Sequence, residues 1–328
     1  MNTITLPGLI DPHVHLRDPG ATHKEDFDTG TAAAVAGGFV FVLDMPNNPE
    51  PTISREALDK KISLAKEKAH CGVGFIFGAD PKADNTMEFE KVINDVYALK
   101  IYMDETTGNL LLKDTHLLDK TFHTWPSHKP IVVHAEGETM STAIDLAKRF
   151  HKKLHIAHIS QRSELERIIN EKEHGMDITC EVTPHHLYLT EKDAEALGPY
   201  GLMKPTLKTR SDVDFLWRHI NAIDCIATDH APHTKEEKES EHPPNGVPGL
   251  ETSLPLMLTA VHAGRITIDD VVRLMHYGPK KIFGIRDLVL GNKMIEVDMS
   301  QSYTINSKNL HTKCGWAPFE GMKVWGRI

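Results

Sequence analysis

Short runs of apolar residues recur eight times along the chain, and longer segments of mixed polarity separate them. Val, Ile, Leu and Phe fill most positions of each run, a pattern typical of strands that are buried on both faces. The eight runs are "GLIDPHVHLR" (8–17), "FVFVLDMP" (39–46), "CGVGFIFGAD" (71–80), "ALKIYMDE" (98–105), "PIVVHAE" (130–136), "LHIAHIS" (154–160), "DITCEVTPHH" (177–186) and "DCIATDHAP" (224–232).

The segments between these runs predict helices. Residues 25–38 are rich in alanine and end on two glycines, and residues 54–69 begin with Ser54, a residue suited to capping a helix. Strands and helices that alternate eight times are typical of a (β/α)8 barrel, the TIM-type α/β fold. An open doubly wound sheet is the alternative, but it favours a G-x-G-x-x-G loop after the first strand, and none occurs there.

The tail of the chain has a different pattern. Residues 293–310 and 321–328 are β-like with turns, and they predict a small outer β layer to which the first residues contribute. We therefore divide the chain into a barrel over residues 8–290 and a small β subdomain formed by 1–7 and 291–328.

The composition is that of a globular protein with an acidic balance. Of the 328 residues 40% are hydrophobic, and 46 acidic residues outweigh 37 basic ones to give a formal charge of -9. Because Lys and Arg form no cluster, neither nucleic acid nor an anionic membrane is an expected partner. No apolar run approaches the roughly 20 residues that span a bilayer. The first residues lack the features of a signal peptide and the four cysteines form no C-x-x-C pair, so we expect a cytoplasmic protein.

Two histidines in the first run are the first sign of chemistry. Successive side chains of a strand alternate between its faces, so His13 and His15 lie on the same face and are placed to hold one metal ion between them. Two hydrogen-bonded histidines at a strand end would fit the same pattern. The chain has 21 histidines, and their positions relative to the other runs decide between these interpretations.

Polar and ionisable residues also follow most of the other runs. In a barrel the active site lies where the strands end, so these side chains meet at one face. At that face we expect Arg17, Asp44, Asn47, Asp80, Lys100, His134, Glu136, His158, Glu181, His185, His186, Asp229, His230 and His233. Their joint placement favours a metal site over a set of unrelated capping or core groups.

Lys100 is the unusual member of this set, because its neighbours in "ALKIYM" are apolar. An unpaired buried ammonium is costly. Three interpretations are open: an ion pair with a carboxylate, a Schiff-base lysine, or a lysine carboxylated by carbon dioxide whose carbamate bridges two cations. Asp229, at the end of the last run, is suited to bind a metal and to move a proton, although a lone Asp there more often caps a helix.

These motifs resemble the amidohydrolase superfamily, with His-x-His on the first strand, Lys on the fourth, His on the fifth and sixth, and Asp on the eighth. "DPHVHLRDPG", "MPN", "HAE", "PHHL", "TDHAPH" and "GLET" together are similar to dihydroorotases. The resemblance is strongest to the dihydroorotase domain of the animal multifunctional pyrimidine-biosynthesis protein. It extends through "TWPSHKPIVVHAE", "PPNGVPGLET" and "WAPFEGMKV", and therefore covers nearly the whole chain.

The resemblance implies a cyclic amide hydrolase that reversibly closes N-carbamoyl-L-aspartate to L-dihydroorotate in pyrimidine biosynthesis. It also implies two zinc ions, with a carboxylated lysine as the bridge between them. The implied ligands are His13, His15 and Asp229 for one ion, His134 and His158 for the other, and Lys100 for the bridge. The implied partners are the small-molecule substrate, a second copy in a homodimer and an associated aspartate transcarbamoylase.

The resemblance also implies roles for residues around the metals. Arg17, Asn47 and His233 would bind the substrate carboxylate. Asp229 would act as acid and base, and Thr106 matches the family's loop threonine. The guanidinium of Arg17 is suited to binding the substrate carboxylate because it can donate two parallel hydrogen bonds to it.

Two departures from the family pattern lead to further expectations. Ala157 stands where close members carry a Cys that helps to bind a third metal, so we expect two ions although Glu181 is present. The loop 103–111, "MDETTGNLL", is polar in its middle, and we expect it to close over the substrate. Thr107 stands where the animal enzyme has Phe, so we expect Thr106 to matter more for turnover.

Two other functions fit parts of the pattern. A dihydropyrimidinase, hydantoinase or allantoinase would share the metal ligands but act on rings without a carboxylate. Arg17 and Asn47 argue against that class, because a buried guanidinium without its carboxylate would be left unpaired. An inactive homologue that organises partner enzymes would lack some of the metal ligands, whereas all six are present.

Overall fold

The eight apolar runs form the eight strands of one parallel sheet in the computed structural model, which describes residues 3–328. Three further strands form a second sheet. In chain order the strands are β1 (Thr3–Pro7), β2 (Leu9–Val14), β3 (Phe39–Asp44), β4 (Gly72–Gly78), β5 (Ala98–Tyr102), β6 (Ile131–His134), β7 (Leu154–Ile156), β8 (Ile178–Val182), β9 (Cys225–Ile226), β10 (Met294–Thr304) and β11 (Lys323–Arg327).

The large sheet curls into a barrel. Its strands follow one another in chain order from β2 to β9, and each neighbouring pair is parallel. Beyond β9, His230 forms a parallel bridge with Val14 of β2, and its carbonyl accepts a hydrogen bond of 2.8 Å from the His15 amide. The predicted (β/α)8 fold is therefore confirmed.

Helices lie between the strands where the sequence predicts them. Ser54 caps the second helix, because its hydroxyl accepts a hydrogen bond from the Ala57 amide. The helices are α1 (Phe27–Ala36), α2 (Arg55–Lys68), α3 (Phe89–Val92), α4 (Thr115–Thr124), α5 (Gly137–Phe150), α6 (Arg162–Glu173), α7 (Pro184–Tyr188), α8 (Glu191–Leu197), α9 (Arg210–Arg218), α10 (Lys235–Lys238), α11 (Leu250–His262), α12 (Ile268–Val272), α13 (Gly278–Phe283) and α14 (Asp287–Leu290). None of the helices described is long and apolar enough to cross a membrane.

The strand alternation determines which side chains reach the site. Ala98 and Val132 pack with other buried apolar residues in one cluster. Two residues further along each strand, on the same face, come Lys100 and His134. An apolar layer therefore lies below these two polar side chains.

The predicted outer β layer is also confirmed. β1, β10 and β11 form an antiparallel sheet in the order β1–β10–β11, with Thr3 opposite Asp298 and Pro7 opposite Met294. Residues 1 and 2 of the predicted subdomain lie outside the described residues, and the domain boundaries stay a prediction.

Candidate metal and substrate site

Four histidines from three strand ends converge inside the barrel. His13 belongs to β2 and His15 follows it, and their ring centroids are 5.3 Å apart. His158 lies 5.3 Å from His13 and 4.7 Å from His134, again measured between ring centroids. All four are buried. The structure therefore brings together the histidines that the sequence singles out.

Asp229 joins the two histidines of the first run. Its Oδ1 atom lies 3.1 Å from Nε2 of His15 and 3.4 Å from Nε2 of His13. Burial alone would raise the pKa of Asp229, but His13 and the hydrogen bond from His15 hold it well below its usual range. An anionic oxygen and two imidazole nitrogens within 4.8 Å of one another form a donor set that suits zinc.

His134 and His158 form a second pair of nitrogen donors. Nδ1 of His134 lies 2.9 Å from Nε2 of His158. Burial lowers the pKa of His134 to about 3 and that of His158 well below its usual value, so both rings are neutral. Neutral rings with facing nitrogens fit a shared cation, since metal ligation uses the neutral imidazole.

Lys100 lies beside these groups without a hydrogen-bond partner among the described residues. The side chain is buried, and Nζ lies 5.2 Å from the centroid of the Tyr102 ring. Burial lowers the pKa of Lys100 to about 8, although the charges of Glu181 and Asp229 oppose this shift. An unsatisfied buried amine next to two nitrogen-rich clusters fits a lysine that carries an added carboxylate, because such a group would supply the missing partners.

Glu181, at the base of the site, is bound by three donors. Its Oε1 atom accepts hydrogen bonds from Nδ1 of His13 at 2.5 Å and from the His158 amide at 3.2 Å. Its Oε2 atom lies 3.1 Å from Nε2 of His155. A carboxylate on Nδ1 fixes the proton there, so Nε2 of His13 directs its lone pair toward Asp229.

Arg17 lies at the mouth of the site, and His233 is buried beside it. Nη2 of Arg17 is 3.1 Å from Nε2 of His233, and Nε donates to the Pro232 carbonyl at 3.1 Å. Arg17 has a φ of 63°, in the left-handed region that few residues other than glycine adopt. Both of these contacts are to residues that follow β9, so the guanidinium lies beside the loop after that strand.

Asn47 makes two contacts beyond the substrate-binding role predicted for it. Its Oδ1 atom lies 2.7 Å from Nδ1 of His15, and its Nδ2 atom donates to the Thr107 carbonyl at 2.9 Å. The Asn47 amide therefore orients His15, one of the candidate metal ligands, and holds the loop that follows β5. Asn47 also lines a cavity beside these ligands.

The loop 103–111 lies across the mouth of the barrel. The Thr107 hydroxyl donates to the Asn245 carbonyl at 2.9 Å, and Gly108 has a φ of 114°, which glycine adopts without strain. Thr106 and Thr107 both line a small cavity over the metal cluster. The full lining is His15, Arg17, Asn47, Thr106, Thr107, Lys204, Asp229, Ala231, Asn245 and Gly246.

Other strand-end candidates bind partners outside this cluster. The ring of His185 packs against that of His186, with centroids 4.6 Å apart and planes tilted by 54°. The partners are Lys61 for Asp44, the Lys82 amide for Asp80, Lys208 for Glu136, Thr183 for His186 and the Gly249 amide for His230. Conversely, Lys24 and Asn245 contact His233 but were not predicted as site residues. Asn245 lies in the segment "PPNGVPGLET", which contributes to the family resemblance, although the resemblance implies no role for this residue.

Relatives of known name cover almost the whole chain. It is 45% identical over 326 residues to the multifunctional protein CAD of Squalus acanthias and 47% identical over 332 residues to the multifunctional protein pyr1-3 of Dictyostelium discoideum. Each match covers 99% of this chain, which spans 14% of the length of either relative. It is also 38% identical to the dihydroorotase of Pyrococcus abyssi, over 99% of this chain and 81% of the relative.

Solved structures share the fold. An L-hydantoinase from Arthrobacter aurescens superimposes with a TM-score of 0.93 at 25% identity, over 99% of this chain and 83% of that one. An inactive dihydroorotase-like domain of a Chaetomium thermophilum CAD-like multifunctional protein gives a TM-score of 0.82 at 25% identity, over 99% and 91% of the two chains. Residues 4–289 match the amidohydrolase family. The chain thus belongs to the amidohydrolase family and, within it, to the dihydroorotases.

Proposed function

We propose that this chain is a dihydroorotase, which closes N-carbamoyl-L-aspartate to L-dihydroorotate with loss of water and catalyses the reverse hydrolysis. One observation carries the proposal: the guanidinium of Arg17 lines the same cavity as His15 and Asp229, two of the candidate metal ligands. A ring amide that bears a carboxylate can bind both sets of groups at once. The dihydroorotase relatives support the same activity.

Two zinc ions fit the donor groups. His13, His15 and Asp229 would hold one ion, and His134 and His158 the other. When bound, the ions would polarise the reacting carbonyl and stabilise the negative charge that develops on its oxygen.

Lys100 would bridge the two ions as a carbamate. Its neutral amine adds to carbon dioxide, a C–N bond forms, and one proton leaves. The buried and unpartnered Nζ supports this modification, because the resulting anion offers two oxygens in place of an unsatisfied amine.

The hydrogen bonds of Glu181 support a site with two metal ions. Both of its oxygens already accept hydrogen bonds, from His13, the His158 amide and His155. With Ala157 beside His158, the side chain at that position has no ligand atom. We therefore propose two ions and not three.

Asp229 would move the proton of the reaction. In the hydrolytic direction water adds to the ring amide carbon, the C–N bond breaks, and Asp229 passes a proton to the leaving nitrogen. Ring closure follows the same steps backwards. Its Oδ1 atom lies 3.1 Å from Nε2 of His15, which supports a place for this carboxylate among the metal ligands.

Arg17, Asn47 and His233 would bind the substrate carboxylate and so orient the ring over the metals. The loop that carries Thr106 would exclude bulk water, which the condensation needs because water is its product. Thr106 lines the cavity and is placed to contact the substrate.

A hydantoinase or dihydropyrimidinase is the second candidate, because an L-hydantoinase shares the fold with a TM-score of 0.93. Those substrates have no carboxylate to meet Arg17. An inactive domain is a third candidate, since one such domain also shares the fold. The complete set of metal-binding residues argues against it.

The test is turnover of purified, zinc-loaded protein, followed by the amide absorbance of dihydroorotate. Dihydrouracil and hydantoin serve as rings without the carboxylate. Turnover of dihydroorotate alone supports the proposal. Preferential turnover of dihydrouracil or hydantoin supports the second candidate, and no turnover of any ring supports the third. A homodimer, an association with aspartate transcarbamoylase and a cytoplasmic location stay predictions.

A further inference from the structure

The ring of His233 is enclosed by polar groups on both of its nitrogens. Nε2 lies 3.0 Å from the Asn245 carbonyl and 3.1 Å from Nη2 of Arg17. Nδ1 lies 3.2 Å from Nζ of Lys24 and 3.5 Å from Oε2 of Glu237. Burial, together with the charges of Arg17 and Lys24, lowers the pKa of His233 far below its usual value. The ring is therefore neutral and carries one proton, on one nitrogen or the other.

The two tautomers differ in how many contacts they satisfy. With the proton on Nδ1, an N–H would face the Lys24 ammonium, which has no acceptor, and a lone pair would face the Asn245 carbonyl. With the proton on Nε2, Nδ1 accepts from Lys24 and Nε2 donates to Asn245. Only the contact with Arg17 then brings two donors together. The second tautomer satisfies more of the surroundings.

We infer that Lys24 is a positioning residue that holds His233 with its proton on Nε2. The inference rests on the proposed function, because its consequence concerns the substrate carboxylate. Because Nε2 then donates to the Asn245 carbonyl, His233 offers Arg17 no lone pair, and the Nη2 donor of Arg17 stays available to an anionic oxygen. Lys24 thereby prepares an anion site without contacting the substrate.

Lys24 is itself held in place by α10, the helix that follows the last barrel strand, β9. Its Nζ atom lies 3.0 Å from Oε1 of Glu237 in α10, and only 16% of its side chain is exposed. Glu237 in turn accepts a hydrogen bond from the Thr234 amide at 3.1 Å. Because the ammonium is anchored from the far side, it stays directed at Nδ1 of His233.

Replacement of Lys24 should release the other tautomer. In Lys24→Met no cation faces Nδ1, so that nitrogen can carry the proton and donate to Glu237. Nε2 then accepts from Nη2 of Arg17, which occupies one guanidinium donor that the substrate carboxylate would otherwise use. Because a hydrogen bond to a charged group is lost, we expect KM for dihydroorotate to rise about tenfold, with a smaller change in kcat.

The direct test is the nitrogen NMR spectrum of histidine-labelled protein, in which His233→Gln identifies the signals of His233. We expect an unprotonated Nδ1 and a protonated Nε2 in the unmodified protein, and the reverse in Lys24→Met. Lys24→Arg keeps a cationic donor and should retain both the tautomer and the KM. Lys24→Gln, which keeps a polar side chain, serves if the Met variant does not fold.

His23→Ala is the matched control. His23 also binds Glu237, at 3.1 Å, but is 62% exposed and contacts the carboxylate from outside. Its loss should change neither the tautomer nor KM. A proton on Nδ1 in the unmodified protein, or an unchanged tautomer in Lys24→Met, would overturn the inference. If the protein does not turn over dihydroorotate at all, the proposed function fails while the tautomer measurement still decides the role of Lys24.

Discussion

Nδ1 of His13 lies 2.5 Å from Oε1 of Glu181, and both side chains are buried beneath the candidate metal cluster. Burial alone would raise the pKa of Glu181, but the neighbouring His13 ring and hydrogen bonds from His13 and His155 hold it well below its usual range. A carboxylate that binds the outer nitrogen of a ligating histidine fixes the ring orientation and makes the inner nitrogen a stronger ligand. Glu181 should therefore contribute to metal affinity without binding metal itself.

Glu181→Gln tests this relationship. The neutral amide is a weaker acceptor for His13 Nδ1, so we expect metal affinity to fall about 10–100-fold. Metal content after dialysis against a graded chelator measures the change. Glu164→Gln is the matched control, because Glu164 is also buried but binds the Ser160 amide at 2.8 Å, outside the cluster. Three ions per chain in the unmodified protein, with one on Glu181, would show that this carboxylate is a ligand.

Lys100→Ala tests the carbamate. We expect loss of most activity and weaker retention of both metals, because the variant has no group to bridge them. Short carboxylic acids added to the variant should restore part of the activity by occupying the same space. Native mass spectrometry of the unmodified protein should show an added carbon dioxide, and a plain lysine at full metal occupancy would refute the bridge.

Arg17→Met tests the carboxylate site. A hydrogen bond to a charged group contributes about 1.5–3 kcal/mol, so KM for dihydroorotate should rise tenfold to a hundredfold. KM for N-carbamoyl-L-aspartate should rise as well, because both ligands carry the same carboxylate. Metal content should not change, since Arg17 lies at the mouth of the site. Unchanged kinetics for both ligands would exclude this role.

Much of the site could be predicted from the sequence, because its ligands follow apolar runs. Strand alternation places Lys100 and His134 on the same faces as Ala98 and Val132, two residues further along their strands. Apolar strands of this kind can be recognised from the sequence alone. The same rule also selected Asp44, which instead pairs with Lys61 at 2.6 Å. A strand-end position alone does not say which way a side chain turns after the strand stops.

Contacts between loops could not be predicted in this way. Thr107 and Asn245 are 138 residues apart and meet only because the loops after β5 and β9 cross the same mouth. The hydrogen bond between Lys24 and His233 spans 209 residues for the same reason. Neither residue pair has a local pattern, because the partners are brought together by barrel closure and not by periodicity.

The last prediction concerns the loop 103–111. The Thr107 hydroxyl donates a hydrogen bond of 2.9 Å to the Asn245 carbonyl. The backbone carbonyl of Thr107 accepts a second hydrogen bond, from the side-chain amide of Asn47. Thr107→Ala removes only the first of these contacts, a neutral hydrogen bond with a net contribution of about 1 kcal/mol, so turnover should fall no more than about fivefold. Among the residues that the structure describes, Thr106 has no comparable anchor, but it lines the cavity, where its hydroxyl can bind the substrate.

We therefore expect Thr106→Ala to lower kcat more than Thr107→Ala, with full metal content in both variants. Thr106→Ser keeps the hydroxyl and should retain most of the turnover, which separates the loss of the hydroxyl from a change in loop packing. Steady-state rates in both reaction directions measure the effect, and the condensation should suffer more because it depends on excluding water. Full turnover in both alanine variants would mean that this loop covers the barrel without taking part in catalysis.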